Sequence, residues 1–295
     1  MYFISVDGQI HKDDQFSLRH DNRGFRYGDG LFETMKMIDG RIPLKDLHFE
    51  RLFTSLTLLK YHATAENSHG ETRKFSTVTG FLSSERLEKE IAELAKKNAC
   101  EKLARIRLTV FRGHGGLYEG NKTLNYIIEC HPLQPEVNHL NEKGLTITLF
   151  PDARKSCDRF STVKSANFLP YSMAALWATE QKSDDCLVLN TNGNICDATI
   201  ANIFIIRDGI ISTPSLKEGC VNGVMRKWLL KKFGETGRKC IEATLTQEDI
   251  LSADEVFLTN AVTGIRWVKK FDDKQYNNEL TIEIYNDFVK TIWAT

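Results

Sequence analysis

The order of strand-like and helix-like segments limits the folds open to this chain more than any other feature. Two short strands around Asp7-Gly8 open the sequence, two helices with an apolar face follow at 43–61 and 84–98, and two longer strands come next. From residue 144 onward, strands in hairpins are interrupted by helices at irregular intervals. Because strands and helices do not alternate strictly, the sequence predicts an α+β fold rather than one doubly wound sheet.

The length of the chain and one proline-containing segment predict two domains. A chain of 295 residues is longer than most single hydrophobic cores support. The segment HPLQPEVN places two prolines among polar residues, which is typical of a linker. We therefore predict a smaller N-terminal domain over 1–132, a linker over 133–138 and a larger C-terminal domain over 139–295.

Charge and cysteine content exclude several classes of protein. Lysine plus arginine and aspartate plus glutamate each number 39, so no net charge attracts nucleic acid or an anionic membrane. No stretch reaches the roughly 20 apolar residues of a membrane span, and the N-terminus lacks the pattern of a signal peptide. Seven cysteines without a C-x-x-C pair predict neither a disulfide framework nor a metal site. We expect a cytoplasmic protein without nucleic-acid or membrane partners.

Arg51 lies on the apolar face of a predicted helix. Helical spacing puts its guanidinium on the same face as Leu44, Leu47, Ser55 and Leu58. A charge in such a stripe requires a partner. An anion such as phosphate would provide two hydrogen bonds, and an ion pair with a buried carboxylate would also satisfy it. Both interpretations remain open at this stage.

A lysine and an aspartate stand in apolar surroundings in the second half of the chain. Lys164, in FSTVKSANFLP, marks the point where a strand-like run gives way to a helix, and shielding from water would make its amine able to form imines. Asp197 lies on a mostly apolar strand, where a protonated pyridine nitrogen would be a suitable partner. A solvated lysine and an ordinary hydrogen-bonded aspartate are the alternatives.

A predicted helix begins directly after Gly223, in VNGVMRKWLL. The backbone N–H groups of Val224 and Met225 would lie at the positive end of the helix dipole and could bind a phosphate. Glycine is common before helices, so a purely structural role is the alternative.

Seven segments in the same order give the chain a family resemblance: YGDGLFET (27–34), HFERL (48–52), KSAN (164–167), DATIANIF (197–204), ISTP (211–214), GVMR (223–226) and ADEVFLTNA (253–261). The chain resembles the class IV aminotransferases, fold type IV of the pyridoxal-phosphate enzymes. The resemblance implies a two-domain α+β fold with pyridoxal 5'-phosphate in the interdomain cleft. It also implies a homodimer in which the loop at 112–120 reaches the neighbouring active site.

The resemblance assigns roles to individual residues. It implies that Lys164 is the catalytic Schiff-base lysine and that Arg51 binds the cofactor phosphate. Asp197 stands where the family usually has a glutamate that keeps the pyridine nitrogen protonated. Phe168 stands where many members have a tyrosine, which disfavours the branched-chain subgroup. The remaining cofactor-binding positions implied are Gly223, Val224, Met225, Asn260 and Ala261.

Within the family, GDGLFET, VNGVMR and TNAV are most similar to 4-amino-4-deoxychorismate lyases. This likeness predicts release of pyruvate from 4-amino-4-deoxychorismate to give 4-aminobenzoate, a folate precursor. The alternatives are transamination of D-amino or branched-chain amino acids with a 2-oxo acid, and a cofactor-binding relative without turnover.

One departure from the lyase pattern affects substrate binding. Leu117 and Tyr118 stand near the position of a basic residue that lyases and D-amino-acid aminotransferases use to bind a substrate carboxylate. That role then falls to Arg26, Arg107 or Arg112, and a structural ion pair is the alternative for each.

Overall fold

The chain forms two compact units. The computed structural model describes residues 2–61, 64–66, 72–74, 82–118 and 124–294. The first unit comprises 1–134 together with 164–167, and the second comprises 135–163 together with 168–295. The chain thus passes between units after Gln134, inside the segment predicted as a linker.

The first unit is built on an antiparallel sheet in the order β2-β1-β7-β6-β3. The almost wholly buried β3 occupies one edge, and the aspartate-glycine turns at 7–8 and 39–40 have the positive φ angles of tight turns. A small hairpin pairs β4 with β5. The strands are β1 (Phe3–Val6), β2 (Gln9–Lys12), β3 (Gly30–Ile38), β4 (Thr64–Glu66), β5 (Thr72–Lys74), β6 (Leu103–Arg112) and β7 (Leu124–Pro132).

Three helices accompany this sheet in the described residues: α1 (Arg23–Tyr27), α2 (Lys45–Leu58) and α3 (Ser84–Lys97). The predicted apolar face of α3 is confirmed, since Leu87, Ile91, Leu94 and Ala95 are all fully buried. Ser83 begins this helix by accepting a hydrogen bond from the Arg86 backbone N–H. Burial of one apolar stripe fixes α3 against the sheet.

The second unit is built on a mixed sheet in the order β10-β9-β8-β15-β14-β11-β12-β13, with β16 added beside β15. The pairs β8–β9, β8–β15 and β12–β13 are parallel, and the others are antiparallel. Its strands are β8 (Leu145–Lys155), β9 (Asp185–Asn190), β10 (Ile195–Ala198), β11 (Asn202–Arg207), β12 (Ile210–Pro214), β13 (Cys240–Ala243), β14 (Glu255–Asn260), β15 (Gly264–Phe271) and β16 (Lys274–Gln275).

The helices of the second unit cover a core of aliphatic side chains from the sheet. They are α4 (Leu169–Glu180), α5 (Val224–Thr236), α6 (Gln247–Ser252), α7 (Glu279–Ile284) and α8 (Lys290–Ala294), with a π-helical turn over Tyr285–Val289. The two units together confirm the predicted α+β fold class, because helices and strands are mixed without strict alternation. None of the helices in the described ranges is both long and apolar enough to cross a membrane.

The structure departs from the predicted domain division at one segment. Residues 164–167 belong to the first unit although the sequence analysis assigned them to the C-terminal domain. The physical reason is strand-like pairing along the edge of β3: the Phe32 N–H donates to the Lys164 carbonyl at 3.0 Å, and the Ala166 N–H donates to the Gly30 carbonyl at 2.9 Å. Main-chain hydrogen bonds therefore hold Lys164 against β3.

Candidate active site

Lys164 is held by the backbone on both sides of its side chain. An isolated antiparallel bridge between Leu31 and Ser165 continues the pairing with β3. The Lys164 nitrogen lies 4.5 Å from the centroid of the Phe32 ring, and the side chain is half-buried. The backbone therefore fixes the point from which the Lys164 side chain extends, and the amine lies against the Phe32 ring.

Gly28 permits this close approach. It adopts φ +61°, and a Cβ atom there would lie 3.3 Å from Asn167 Cα. A left-handed conformation beside another backbone favours glycine over every other residue. The glycine of YGDG is thus required by the segment that carries Lys164.

Arg51 forms a buried ion pair with Glu33. Its Nε donates to Glu33 Oε1 at 2.8 Å, and its Nη2 donates to Glu33 Oε2 at 2.5 Å. His48 Nδ1 lies 2.7 Å from Glu33 Oε2, and all three side chains are at most 10% exposed. The carboxylate partner considered in the sequence analysis is therefore present, and a forked pair of this kind fixes the guanidinium plane.

Charge and burial act in opposite directions on these groups. Burial alone would raise the pKa of Glu33, but the charge of Arg51 and hydrogen bonds from His48 and Arg51 lower it to about 2. Burial lowers the pKa of His48, despite its hydrogen bond to Glu33. Glu33 is therefore ionised and His48 neutral at neutral pH, so the neutral imidazole donates its Nδ1–H to the carboxylate.

The three candidate arginines for substrate binding have different surroundings. Arg112 donates to Asp29 and to the Leu59 carbonyl, and its guanidinium carbon lies 4.2 Å from the Tyr61 ring centroid. Arg26, which is exposed, donates to the His20 carbonyl at 3.2 Å. Both contacts of Arg112 to oxygen are structural.

Arg107 differs because its guanidinium lies beside the same ring as Lys164. Its Cζ atom is 3.9 Å from the Phe32 ring centroid, its side chain is 40% exposed, and its ion pair with Glu129 is loose at 3.9 Å. Desolvation lowers the pKa of Arg107, although it remains charged at neutral pH. The structure thus places Lys164 and Arg107 each against the Phe32 ring.

In the second unit, Asp197 lies on β10 and is almost fully buried. Its Oδ2 accepts hydrogen bonds from Lys155 Nζ at 3.1 Å, Tyr171 OH at 2.6 Å and the Val221 N–H at 2.9 Å. Its Oδ1 accepts one from Asn202 Nδ2 at 2.8 Å. These donors stabilise an ionised carboxylate.

The start of α5 is packed against the same group. A Cβ atom on Gly223 would lie 1.8 Å from Asn202 Oδ1, so a side chain cannot be placed there without moving Asn202. Gly223 supplies no side-chain cap, so the first backbone N–H groups of the helix point beyond its N-terminus. Val224 and Met225 are the first two helical residues, and both are buried.

Asn260 caps the turn between β14 and β15. Its Oδ1 accepts hydrogen bonds from the backbone N–H groups of Val262 at 3.0 Å and Thr263 at 2.8 Å, and Ala261 lies in this turn. Thr259 pairs with Asn202 across the sheet, so the turn and the Asp197 cluster occupy the same end of neighbouring strands.

Phe168, which stands where the resemblance implies a tyrosine in many members, packs against another tyrosine, Tyr171. The Phe168 ring packs on the Tyr171 ring with centroids 4.5 Å apart, and Tyr171 directs its hydroxyl to Asp197. Tyr171 therefore donates its hydroxyl hydrogen to the Asp197 carboxylate. In the described residues no group of three or more histidine, cysteine, aspartate or glutamate side chains is arranged to hold a metal ion.

Sequence reasoning missed several residues that the structure places around the candidates: Glu33, His48, Lys155, Tyr171 and Asn202. One of these had a sequence signal. His48 precedes Arg51 by three positions and so shares its helix face. Lys155 and Tyr171 are 42 and 26 positions from Asp197, and no local pattern links them.

The chain is similar in sequence and fold to several known proteins. A Methanocaldococcus jannaschii protein with the provisional name branched-chain-amino-acid aminotransferase is 28% identical, covering 99% of this chain and 97% of its own. The aminodeoxychorismate lyase of Bacillus subtilis is 24% identical over 94% of this chain and 89% of its own. The branched-chain aminotransferase of Thermoproteus uzoniensis, solved with norvaline, has a TM-score of 0.84 at 21% identity, covering 99% and 95% of the two chains. Branched-chain aminotransferases of this fold have also been solved with pyridoxamine 5'-phosphate.

The amino-transferase class IV family model matches residues 30–271 of this chain. That span contains the segment around Lys164, the Asp197 strand and the start of α5. The match confirms the predicted resemblance, the fold type and the assignment as a pyridoxal-phosphate enzyme. The chain belongs to the class IV aminotransferase family.

Proposed function

We propose that Lys164 binds pyridoxal 5'-phosphate covalently through its side-chain nitrogen. The observation that supports this most directly is the anchoring of Lys164 on β3 by hydrogen bonds at Phe32 and Ala166, which directs the amine to the Phe32 ring. When bound, the cofactor supplies an aldehyde for exchange of amines and a ring that accepts electrons from a neighbouring C–H bond. Lys164 then removes and returns the proton on the amine-bearing carbon.

We also propose residues for the other parts of the cofactor. We propose that Arg51, whose guanidinium plane is fixed by the forked pair with Glu33, binds the phosphate. The N-terminus of α5, where Gly223 leaves no side chain, suits the same dianion through Val224 and Met225. The Asn260-Ala261 turn would close this pocket. Asp197 is proposed to accept a hydrogen bond from the ring nitrogen and to keep it protonated.

The reaction that we propose first is the release of pyruvate from 4-amino-4-deoxychorismate, which yields 4-aminobenzoate for folate synthesis. The likeness of VNGVMR to lyases supports it, and this segment lies beside Asp197 in the structure. The Val221 N–H binds Asp197, and Gly223 fits against Asn202. Removal of the proton by Lys164 would lead to loss of pyruvate as the product becomes aromatic, so no second substrate is needed.

Transamination is the second candidate, and one observation favours it. The Arg107 guanidinium lies 3.9 Å and the Lys164 amine 4.5 Å from the centroid of the Phe32 ring. The separation of the two groups therefore cannot exceed the sum of these two distances. This arrangement suits a carboxylate on or near the amine-bearing carbon, and it favours Arg107 over Arg26 and Arg112 as the carboxylate-binding residue. Leu117 and Tyr118, by contrast, are exposed and carry no charge.

Two assays separate these reactions. The purified protein is given 4-amino-4-deoxychorismate without any 2-oxo acid, and 4-aminobenzoate is followed. It is then given D- or L-amino acids with 2-oxoglutarate. Multiple turnovers in the first assay establish the lyase, and activity in the second alone replaces it with a transaminase. Bound cofactor whose absorption responds to no amine would identify a relative without turnover.

Variants test the residue assignments. Borohydride should fix the cofactor on Lys164, and Lys164→Ala should lose turnover on the order of 10⁴-fold or more without unfolding. Labelling of another lysine contradicts the assignment. Arg107→Met should raise KM for the carboxylate substrate. Arg105→Met, on the same face of β6 but exposed, should leave KM unchanged.

We also propose that the protein forms a homodimer. The loop at 112–120 is the segment implied to reach the neighbouring active site, and residues 119 and 120 lie outside the described part of the chain. Light scattering after size-exclusion chromatography would measure the mass. A monomer that is fully active would contradict the proposal.

A further inference from the structure

Asp197 has a resident cation within its own unit. Lys155 is the last residue of β8, its Nζ lies 3.1 Å from Asp197 Oδ2, and the two side chains are 11% and 3% exposed. The same ammonium lies 5.2 Å from the centroid of the Tyr171 ring. A buried pair this close interacts far more strongly than a pair at the surface.

The hydrogen bonds of Asp197 are distributed unequally between its two oxygens. Oδ2 accepts three, from Lys155, Tyr171 and Val221, whereas in the described part of the chain Oδ1 accepts one, from Asn202. A carboxylate has about four acceptor positions, two on each oxygen. Oδ1 is therefore the oxygen with capacity for a further donor.

The tyrosine hydroxyl and the two thiols around the pair carry no charge at neutral pH. Burial raises the pKa of the Tyr171 hydroxyl well above its ordinary value. Burial likewise raises the pKa of the Cys196 and Cys220 thiols, the latter to about 12. Arg226 is charged, but it donates to the Pro214 carbonyl and Glu242. Lys155 is thus the cation that directly contacts Asp197.

We infer that Lys155 is the permanent counter-ion of Asp197 and that it limits how firmly this carboxylate holds a proton on the cofactor's ring nitrogen. The inference rests on the proposed role of Asp197. A protonated ring nitrogen at Oδ1 would be a second positive charge on one carboxylate, and Lys155 at Oδ2 repels it. Lys155 therefore acts through Asp197 as a positioning residue that tunes the electron-accepting strength of the ring.

The direction in which loss of Lys155 shifts the protonation of the ring nitrogen tests this inference. Holoenzyme is prepared with cofactor labelled with ¹⁵N in the ring, and the ¹⁵N chemical shift is followed against pH. In Lys155→Met the midpoint of ring-nitrogen protonation should rise by about one to three pH units, because a repelling charge is removed. Lys155→Arg should keep the wild-type midpoint. An unchanged or lowered midpoint in Lys155→Met would overturn the inference, since a merely structural lysine would change cofactor occupancy alone.

A matched control removes a lysine elsewhere in the same unit. Lys232 lies 2.7 Å from Glu235 near the end of α5, so Lys232→Met also breaks an ion pair. Its ring-nitrogen midpoint should equal that of the wild type. An equal rise in both variants would show that the effect is not specific to Asp197, which also overturns the inference.

The cofactor-free protein gives an independent test. Lys155→Met, Asp197→Asn and the double variant are compared by thermal unfolding. Each single change leaves one buried charge without its partner, so the melting temperature should fall in both and recover partly in the double variant. Additive losses would overturn the counter-ion assignment. If the wild type binds no cofactor the proposed function fails, and this cycle still decides whether the pair exists.

Discussion

Each unit of this protein contains a buried carboxylate beside a cation, and the two are satisfied differently. Glu33 in the first unit has both oxygens engaged by the fork of Arg51, with His48 as an additional donor. Asp197 in the second unit accepts hydrogen bonds from four separate groups within the described ranges, three on Oδ2 and one on Oδ1. The forked pair fixes the guanidinium plane of Arg51, whereas the uneven distribution on Asp197 leaves Oδ1 as the oxygen with capacity for a further donor.

This difference separates an anchoring role from a chemical one. Glu33 fixes the plane of Arg51, and its low pKa shows that the surroundings strongly favour the ionised form. We expect its loss to affect folding more than rate. Asp197 is the proposed partner of the ring nitrogen, so we expect its loss to lower the rate in addition to the melting temperature. The predictions below test this contrast.

The largest effect is expected for Asp197→Asn. An amide cannot hold a proton on the ring nitrogen, so kcat should fall on the order of 10²- to 10³-fold, as loss of an electrostatic catalytic contact usually costs. Steady-state kinetics in whichever assay shows activity would measure it. Activity close to wild type would refute the role of Asp197 and remove the contrast with Glu33.

Glu33→Gln should mainly reduce stability. Breaking a buried ion pair on one side leaves Arg51 without its counter-charge and costs about 3–5 kcal/mol of unfolding free energy. Urea unfolding of the cofactor-free protein would measure this. Glu93→Gln, which breaks an exposed pair at 4.0 Å, is the control and should change stability by less than about 1 kcal/mol. Equal losses in the two variants would contradict the anchoring role.

The stabilisation by Glu33 should depend on pH with a defined sign. Its pKa is lowered from the ordinary 4.5 to about 2 on folding, so the stabilisation is complete above pH 4.5 and is lost as pH falls toward 2. Each unit of pKa shift corresponds to about 1.4 kcal/mol, so the shift of Glu33 contributes roughly 3 kcal/mol to the free energy of unfolding. The difference in unfolding free energy between wild type and Glu33→Gln should therefore become smaller as the pH is lowered from about 6 to about 2.5. A constant difference would contradict the prediction.

The smallest effects compare two glycines of one helix. Gly223→Ala should weaken cofactor binding about tenfold, because its Cβ would displace Asn202 and with it a donor to Asp197, a strain of about 1–3 kcal/mol. Gly234→Ala, with nothing within 4 Å of its Cβ, should stabilise the protein by about 0.5–1 kcal/mol and leave affinity unchanged. Cofactor titration and urea unfolding measure both. Equal affinity in the two variants would show that Gly223 is not required.

Local sequence patterns anticipated much of the fold. The apolar face of α3 and the turn at Asp7-Gly8 are each encoded within about ten residues, since they depend on periodicity and on the conformational range of glycine. The ordered family segments also identified Lys164 and Asp197 as candidates. The hairpins and helices therefore followed from local chemistry.

The partners of Arg51 and Asp197 could not be predicted from local sequence patterns. Arg51 pairs with a glutamate 18 positions away, and Asp197 with a lysine 42 positions away. Two interpretations of Arg51 were open in the sequence because helical spacing shows that a charge faces the core and does not show which charge meets it. Strand pairing in the sheets brought these residues together.

The sequence by itself determined the elements, the family and the identity of the lysine, because each of these is written in spacing and residue type. The tertiary structure alone decided that residues 164–167 join the first unit, that Arg107 and Lys164 both lie against the Phe32 ring, and that Lys155 contacts Asp197. The physical reason is that burial and electrostatic pairing depend on distances through space, which β-sheet registers between distant segments fix.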